Sequence, residues 1–311
     1  MIEEPSRNRN LYCYQKIFSS LKDLYEFNQL PSKIIFSGEK GIGKSTLAYH
    51  LVNYIFSLNE ENRYNFQNNN IDDKNYSYNL ILKNSHPNFF LISNDADKSG
   101  IQISKVREMI NFTNKSSFNN LCKIILIDNV EYLNAGSNNA LLKVIEEPNN
   151  NIFFFLIHNS KKKILDTIKS RCIQYNLFLS DKDKLNVIKK LSCNNFYTSL
   201  NIDFKNIYNT PANAVILNEI FTNNDIDTSI SIDDFLKLII SKSLYKKDIN
   251  IKDNLSFFIE LFFKKKFNNF ESKESIYSLY RYFLKKFNDY KIYNLDLESI
   301  LIEFNGKLLN E

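Results

Sequence analysis

The chain has 311 residues, of which 43% are hydrophobic and 24% are charged, as expected of a soluble globular protein with two or three domains. Its net charge of +5 permits contact with nucleic acid but does not require it. The longest apolar run, residues 152–157, is too short to span a bilayer, and the charged first residues do not form a secretory signal. We therefore expect a cytoplasmic protein without a membrane span.

The first part of the chain predicts alternating strands and helices. Short apolar runs predict strands at 33–37, 89–93, 123–128 and 152–157, and apolar residues at helical spacing predict helices at 44–56, 103–112 and 138–145. Residues 59–85 are rich in Asn and Asp, which favours a surface insertion. The alternation predicts an α/β fold with a parallel sheet and helices on both of its faces.

The pattern changes after residue 177, where no further strand is predicted. Apolar residues at helical spacing predict amphipathic helices at 181–192, 202–208, 211–221, 232–245, 252–267, 273–288 and 296–309. We therefore divide the chain into an α/β domain at 1–177, a small helical domain at 178–225 and a helical C-terminal domain at 226–311.

Residues 38–45 read Gly-Glu-Lys-Gly-Ile-Gly-Lys-Ser, the G-x-x-x-x-G-K-S pattern of a phosphate-binding loop between a strand and a helix. In such a loop, backbone N–H groups face phosphate oxygens, Lys44 reaches the outer phosphates and Ser45 holds Mg²⁺. We predict that ATP and Mg²⁺ are bound by Gly38, Glu39, Lys40, Gly41, Ile42, Gly43, Lys44, Ser45, Thr46 and Asp128.

Asp128 ends the third predicted strand, where an aspartate of this class of NTPase lies beside the loop serine, here Ser45, and holds Mg²⁺. A hydrolysing enzyme commonly has a glutamate at the next position, but this chain has Asn129. An amide can orient water but cannot accept its proton. Glu131 could substitute as a weak base, so we expect weak or absent hydrolysis.

Four short motifs follow one another in a specific order. They are Ile127-Asp128-Asn129-Val130-Glu131-Tyr132-Leu133, Asn139-Ala140-Leu141-Leu142-Lys143, Glu146-Glu147-Pro148 and Ser170-Arg171-Cys172. Together they resemble the clamp-loader subunits of bacterial DNA polymerase III, which are AAA+ proteins. Ser85-His86-Pro87 and residues 11–36 are similar to the delta-prime subunit. The resemblance covers residues 10–180 well and the remainder loosely, and it implies that the two helical domains are a lid and an oligomerising collar.

The resemblance implies roles for single residues. Arg171 matches the arginine finger that one subunit presents to the ATP of its neighbour, where its fixed charge stabilises the γ-phosphate. Asn159 falls at the position of the first sensor residue. Ala212, in the segment Asn209 to Ala214, stands where the second sensor usually has an arginine. Together with Asn129, this departure favours a subunit that donates a finger over one that hydrolyses ATP.

Other polar residues give weaker signals. The four cysteines, Cys13, Cys122, Cys172 and Cys193, include no C-x-x-C pair, so neither zinc nor a disulfide is predicted. Lys161–Lys163 and Lys264–Lys266 could contact the phosphates of DNA, but a solvated surface is the favoured interpretation. The aromatic residues of 257–287 recur at helical spacing, which favours core or subunit packing.

The first hypothesis is a delta-prime-like subunit that assembles with gamma/tau and delta subunits in a hetero-pentamer. Through that complex it would act on primed DNA and a sliding clamp. The alternative is an active ATPase motor resembling gamma/tau, which Asn129 and Ala212 disfavour. A third interpretation, a nucleotide kinase, is disfavoured by the series of motifs.

Overall fold

The computed structural model describes residues 4–93, 100–146, 151–191, 196–205, 210–269, 273–293 and 295–309. The chain separates into two compact units, Met1–Val187 and Ile188–Glu311. The finer division into three domains remains a prediction. Within the described ranges, none of the helices has both the length and the apolar character that crossing a membrane requires.

The first unit is built on a five-stranded parallel sheet. Its strands are β1 (Lys33–Gly38), β2 (Phe89–Ile92), β3 (Lys123–Ile127), β4 (Ile152–Asn159) and β5 (Ile173–Asn176), in the order β2-β3-β4-β1-β5. The four predicted strands are confirmed. The fifth was not predicted, because its sequence Ile-Gln-Tyr-Asn is largely polar and the strand lies at an edge of the sheet with mostly exposed side chains.

Among the described residues, seven α-helices belong to or begin in this unit. They are α1 (Gln15–Glu26), α2 (Lys44–Phe56), α3 (Tyr76–Leu82), α4 (Ile103–Asn114), α5 (Ala135–Glu146), α6 (Asp166–Lys169) and α7 (Asp181–Leu191). Alternate residues of the central strands enter two separate apolar clusters: Ile34 and Phe36 join one, and Ile35 joins the other. The first cluster contains residues of α1, α2 and α3, and the second contains residues of α4 and α5. Helices therefore cover both faces, as predicted, and the arrangement fits the α/β AAA+ fold.

Residues 59–85 are more deeply integrated than a surface insertion would be. The segment includes α3 and buries the side chains of Tyr64, Ile71, Tyr78 and Ile81. The many Asn and Asp residues concealed these widely spaced apolar anchors, since no regular period links them. The predicted surface insertion thus has many exposed residues but is anchored in the core by these side chains, which was not predicted.

The N-terminal segment 7–11 is held between this insertion and the helices beneath it. The carbonyl of Arg7 accepts a hydrogen bond from the Tyr78 hydroxyl at 2.9 Å, and that of Arg9 accepts one from the Ile71 amide at 2.9 Å. The Leu11 amide donates to the carbonyl of Asn69 at 3.0 Å. These bonds tie the first residues of the described chain to a segment some sixty positions later.

His50, on α2, is fully buried beneath that segment. Its Nε2 lies 3.0 Å from the carbonyl of Asn8 and its Nδ1 lies 2.8 Å from the Tyr64 hydroxyl. Because a carbonyl can only accept, Nε2 carries the proton and Nδ1 accepts from the tyrosine. Burial lowers the pKa of His50 from 6.5 to about 4.

We expect acid to destabilise the protein through His50. The folded state keeps this imidazole neutral, whereas the unfolded chain protonates it below pH 6.5. The unfolded state then binds more protons, so stability is fully present above pH 6.5 and falls towards pH 4, by about 3 kcal/mol at 1.36 kcal/mol per pH unit. Urea unfolding between pH 7 and pH 5 measures this slope.

The matched variant is His50→Phe, which removes the titrating group while keeping an aromatic ring in the core. It should lower the stability at pH 7, because the Asn8 carbonyl and the Tyr64 hydroxyl lose their partner, and it should flatten the slope below pH 6.5. An unchanged slope in the variant would assign the acid sensitivity elsewhere, for example to His86, whose pKa burial also lowers to about 4.

In the described residues, the second unit contains helices and no strand. They are α8 (Phe196–Ser199), α9 (Ile202–Lys205), α10 (Pro211–Asn223), α11 (Ile232–Ser241), α12 (Leu244–Lys247), α13 (Ile249–Asn269), α14 (Lys273–Tyr293) and α15 (Leu297–Phe304), followed by a π-helical turn at Asn305–Leu309. The aromatic residues form its core, where Phe235, Phe258, Phe262, Phe283 and Phe304 are nearly or completely buried. The helical character was predicted, and the core role predicted for the aromatic residues of 257–287 is confirmed for Phe258, Phe262 and Phe283, whereas Tyr277 is exposed.

Candidate nucleotide site

The segment predicted to be a phosphate loop connects β1 to α2. Gly41 and Gly43 have φ angles of 84° and 90°, in the left-handed region that glycine adopts without strain. At Gly38, a Cβ would lie 2.4 Å from the carbonyl oxygen of Leu177, so only glycine fits there. The loop therefore brings the backbone to the N-terminus of α2, where the free N–H groups and the helix dipole attract an anion.

Lys44 is buried at the first position of α2. Its Nζ donates to the carbonyl of Gly38 at 2.9 Å and to that of Glu39 at 2.5 Å. Burial lowers the pKa of Lys44 to about 8, although the nearby negative charges of Glu131 and Asp128 oppose the shift. The ammonium thus lies inside the loop with carbonyl partners that a phosphate could replace.

Ser45 and Asp128 meet beside the loop. The Ser45 hydroxyl donates to a carboxylate oxygen of Asp128 at 3.2 Å, which is the proximity that the sequence predicts. Burial raises the pKa of Asp128 above its ordinary value, while the hydrogen bond from Ser45 and the charge of Lys44 act in the opposite direction. A hydroxyl and a carboxylate are oxygen ligands of the kind that Mg²⁺ prefers, so these residues fit the predicted ion.

Asn129 follows in a left-handed conformation, with φ 60° and ψ 59°, and a 3₁₀ turn at Val130–Tyr132 begins immediately after it. This turn carries Glu131, which accepts a hydrogen bond from the backbone N–H of Asn159 at 3.2 Å. Its other carboxylate oxygen is buried and has no hydrogen-bond partner in the described structure. Glu131 and Asn159 are therefore brought together next to Lys44, an arrangement that their separation in sequence does not reveal.

Residues at the end of β4 and directly after it bond to the end of β1 and to the loop. His158 lies within hydrogen-bonding distance of the Ser37 hydroxyl, at 3.0 Å, and of the Lys162 carbonyl, at 3.0 Å. The Ser160 amide donates to the Gly38 carbonyl at 3.0 Å, and Lys161 forms an ion pair with Glu39 at 2.6 Å. This segment and the phosphate loop thus form one connected surface, which sequence reasoning did not detect.

A cleft of about 310 Å³ opens beside the loop. It is lined by the loop residues Gly38, Glu39 and Ile42, by residues 177–179 and by Lys184. Phe178 lines the cleft while 81% of its surface is exposed. These residues were missed because the strand that leads to them, β5, carries no apolar pattern.

Arg171 lies in the turn between α6 and β5. Its Nη1 donates to the carbonyl of Thr167 at 2.9 Å, and its Nη2 forms an ion pair with Glu146 at 2.7 Å. Its contacts with described residues do not include the phosphate loop. The guanidinium is therefore a surface group of this chain, 36% exposed at the level of the side chain.

The remaining candidate residues lie in several elements of the two units, and one of them, Lys161, pairs with Glu39 of the loop. Ala212 lies in the first turn of α10, in the second unit, whereas Asn209, Glu147 and Pro148 fall outside the described residues. Lys265 and Lys266 pair with Asp203 and Asp233 within the second unit, and Lys162 lies over the ring of Tyr132. Parts of both basic clusters are thus engaged within their own unit.

The model of the family described as "DNA polymerase III, delta subunit" matches residues 14–180, more than half of the chain. The chain belongs to this family. Its resemblance to delta-prime-like clamp-loader subunits of DNA polymerase III is thereby confirmed.

Individual relatives agree with this assignment. The DNA polymerase III subunit delta′ of Pseudomonas aeruginosa is 32% identical over 95 residues, which is 30% of this chain and 29% of that protein. The DNA polymerase III subunit gamma of Buchnera aphidicola subsp. Acyrthosiphon pisum is 28% identical over 182 residues, covering 58% and 48% of the two chains. This chain spans between 29% and 59% of the length of three delta′ relatives.

Among solved structures, a DNA polymerase III gamma subunit-related protein from Thermotoga maritima is similar, with 15% identity and a TM-score of 0.42. The alignment covers 94% of this chain and 92% of that one. A TM-score below 0.5 indicates only a distant overall similarity.

Proposed function

We propose that the chain is a delta-prime-like subunit of a cytoplasmic DNA polymerase III clamp loader, which binds ATP with Mg²⁺ and hydrolyses it weakly or not at all. The observation that supports the proposal is that Lys44, Ser45 and Asp128 lie together at the loop. The residue after Asp128 is Asn129, at the position where hydrolysis would require a proton acceptor. The site can therefore hold a nucleotide without the adjacent carboxylate that activates water.

In this proposal the triphosphate occupies the loop, and the sugar and base extend into the neighbouring cleft. The first-turn N–H groups of α2 and the Lys44 ammonium would bind the phosphates, and Ser45 and Asp128 would hold Mg²⁺. The Asn159 amide would contact the γ-phosphate as the first sensor. Arg171 would serve the ATP of a neighbouring subunit, in a hetero-pentamer with gamma/tau and delta subunits that loads a sliding clamp onto primed DNA.

The second candidate is an active motor resembling gamma/tau. It is favoured by one observation, the buried and unpartnered carboxylate oxygen of Glu131 close to Lys44 and Asp128. A carboxylate in that environment can accept a proton from water, as the missing glutamate would.

Two measurements separate the candidates. The first is an ATPase assay: the purified chain should bind ATP with Mg²⁺, and any hydrolysis in the preparation should be unchanged by Lys44→Ala and Glu131→Gln. The second is co-elution, in which the chain should elute together with gamma/tau and delta subunits of the same organism. Turnover by the isolated chain that both substitutions abolish would establish the motor. Failure to join the complex would contradict the clamp-loader proposal.

We further expect the affinity for ATP to fall as the pH rises above about 8, the pKa that burial gives Lys44 in the free protein. Bound phosphate favours the protonated form of Lys44. Above the pKa of the free protein, Lys44 must therefore take up a proton when ATP binds. The association constant should then fall up to about tenfold per pH unit. Titrations from pH 7 to pH 9.5 measure this dependence.

Lys44→Arg provides the matched control, because a guanidinium stays protonated throughout this range. Its affinity, whatever its absolute value, should be independent of pH. A pH-independent affinity in the unmodified chain would mean either that free Lys44 keeps its proton up to pH 9.5 or that its charge does not contribute to phosphate binding.

A further inference from the structure

Two motifs that are 25 positions apart in sequence meet at one ion pair. Glu146, the first residue of Glu-Glu-Pro, ends α5, and Arg171, the centre of Ser-Arg-Cys, follows α6. The Nη2 of Arg171 lies 2.7 Å from Oε1 of Glu146. The function proposed above uses Arg171 but gives no role to Glu146.

The surroundings of Arg171 leave part of its guanidinium available. A guanidinium has five N–H donors in a planar fork. Arg171 makes three contacts with residues that the structure describes: Nη1 to the Thr167 carbonyl at 2.9 Å and to the Ser170 hydroxyl at 3.3 Å, and Nη2 to Glu146. Among the described residues, no partner is seen for the Nε–H or for one N–H of Nη2, and two adjacent donors match two oxygens of a phosphate.

Glu146 and Arg171 are too exposed for the pair to matter much for stability. Their side chains are 49% and 36% accessible, and ion pairs of this kind contribute little to folding. What the pair does is fix a long side chain. An unrestrained arginine samples many rotamers, so fixing its side chain in the orientation that binds costs conformational entropy.

We propose that Glu146 is the positioning residue of Arg171, holding its guanidinium in the orientation that presents the two remaining donors to a phosphate of the neighbouring subunit. The inference rests on the proposed function, because it takes Arg171 to act on a neighbour's nucleotide. Thr167 and Ser170 fix one terminal nitrogen of the fork, and Glu146 fixes the other. Glu146 itself touches neither nucleotide nor reacting atoms.

The test uses the reconstituted complex with gamma/tau and delta subunits. Glu146→Ala should lower kcat at the site that Arg171 serves by about tenfold and leave KM for ATP unchanged, since the finger acts in the transition state. Glu146→Gln retains an oxygen acceptor and should stay within about twofold of the unmodified complex. The thermal unfolding temperature should be unchanged in both variants.

Two further variants make the result specific. Asp166→Ala removes another exposed carboxylate nearby in the fold, one that pairs with Lys169, and should leave the rate unchanged. In an Arg171→Ala background, Glu146→Ala should have no additional effect, because the residue that it positions is gone.

The outcomes separate this inference from the proposal beneath it. A faster Glu146→Ala complex would mean that the carboxylate competes with phosphate for Arg171, and an unchanged one would mean that it does not position the guanidinium. Either result, with Arg171→Ala still impaired, overturns the inference alone. An unimpaired Arg171→Ala complex overturns the trans-acting arginine itself.

Discussion

Replacing Arg171 by alanine should lower ATP hydrolysis at the neighbouring site by about 10³-fold or more, the range measured for arginines supplied in trans. The physical reason is the loss of a fixed positive charge from the developing charge on the γ-phosphate. The guanidinium is exposed, and its contacts with described residues use three of its five N–H donors, so the substitution removes a group that a neighbour can reach.

The measurement has to isolate one site. A complex with several nucleotide sites would retain the turnover of the others, so the phosphate-loop lysines of the remaining motor subunits should be replaced in the same preparation. Hydrolysis is then followed with primed DNA and clamp present. Lys169→Ala, two residues away and also exposed, is the matched control and should leave the rate unchanged.

Arg171→Lys distinguishes charge from geometry. An ammonium keeps the positive charge but cannot offer two parallel N–H groups, so an intermediate loss is expected. If Arg171→Ala and Lys169→Ala gave the same rate, Arg171 would be an ordinary surface arginine paired with Glu146.

Replacing Lys44 by alanine should weaken ATP binding by the isolated chain by about 100-fold or more. The substitution removes a charge-assisted contact to the phosphates from a buried site, where such contacts are strongest. It also removes the bonds from Nζ to the carbonyls of Gly38 and Glu39, so the loop loses two of the bonds that shape it, although Gly38 keeps its bond from the Ser160 amide.

Equilibrium titration with a fluorescent ATP analogue measures this loss, and Lys16→Ala, on the exposed face of α1, serves as the control. The Lys44→Ala variant also distinguishes a structural role of ATP from its use as a substrate. If ATP has a structural role here, Lys44→Ala should weaken assembly of the complex without lowering the ATPase rate of the complexes that do form. A lower rate in fully assembled complexes would favour the motor.

The local sequence pattern was sufficient to predict the central strands of the sheet and the loop between β1 and α2. Residues 34–36 and 124–127 are continuous apolar runs, which is what a parallel strand buried on both faces requires, and the loop pattern fixes the turn between β1 and α2. The proximity of Ser45 and Asp128 follows from the same reasoning, because the carboxyl ends of parallel strands share one edge of the sheet.

Other features depend on tertiary contacts that no local pattern encodes. The bond from Asn159 to Glu131 joins residues 28 positions apart, and the strand Ile173–Asn176 is defined by its partner β1 and not by its own composition. Tyr64 and Ile71 are buried in a segment whose polar character predicts exposure. In each case the deciding interaction comes from a distant part of the chain.

The clamping of residues 7–11 has a practical consequence for fusions and truncations. Removing this segment would leave the Tyr78 hydroxyl, the Ile71 amide and the His50 ring without their backbone acceptors, all in one buried region. Affinity tags joined ahead of it should therefore be harmless, whereas a shortened variant that starts at Leu11 should become a protease substrate in the insertion. Residues 7–11 thus pack beside α2, the helix that begins with Lys44.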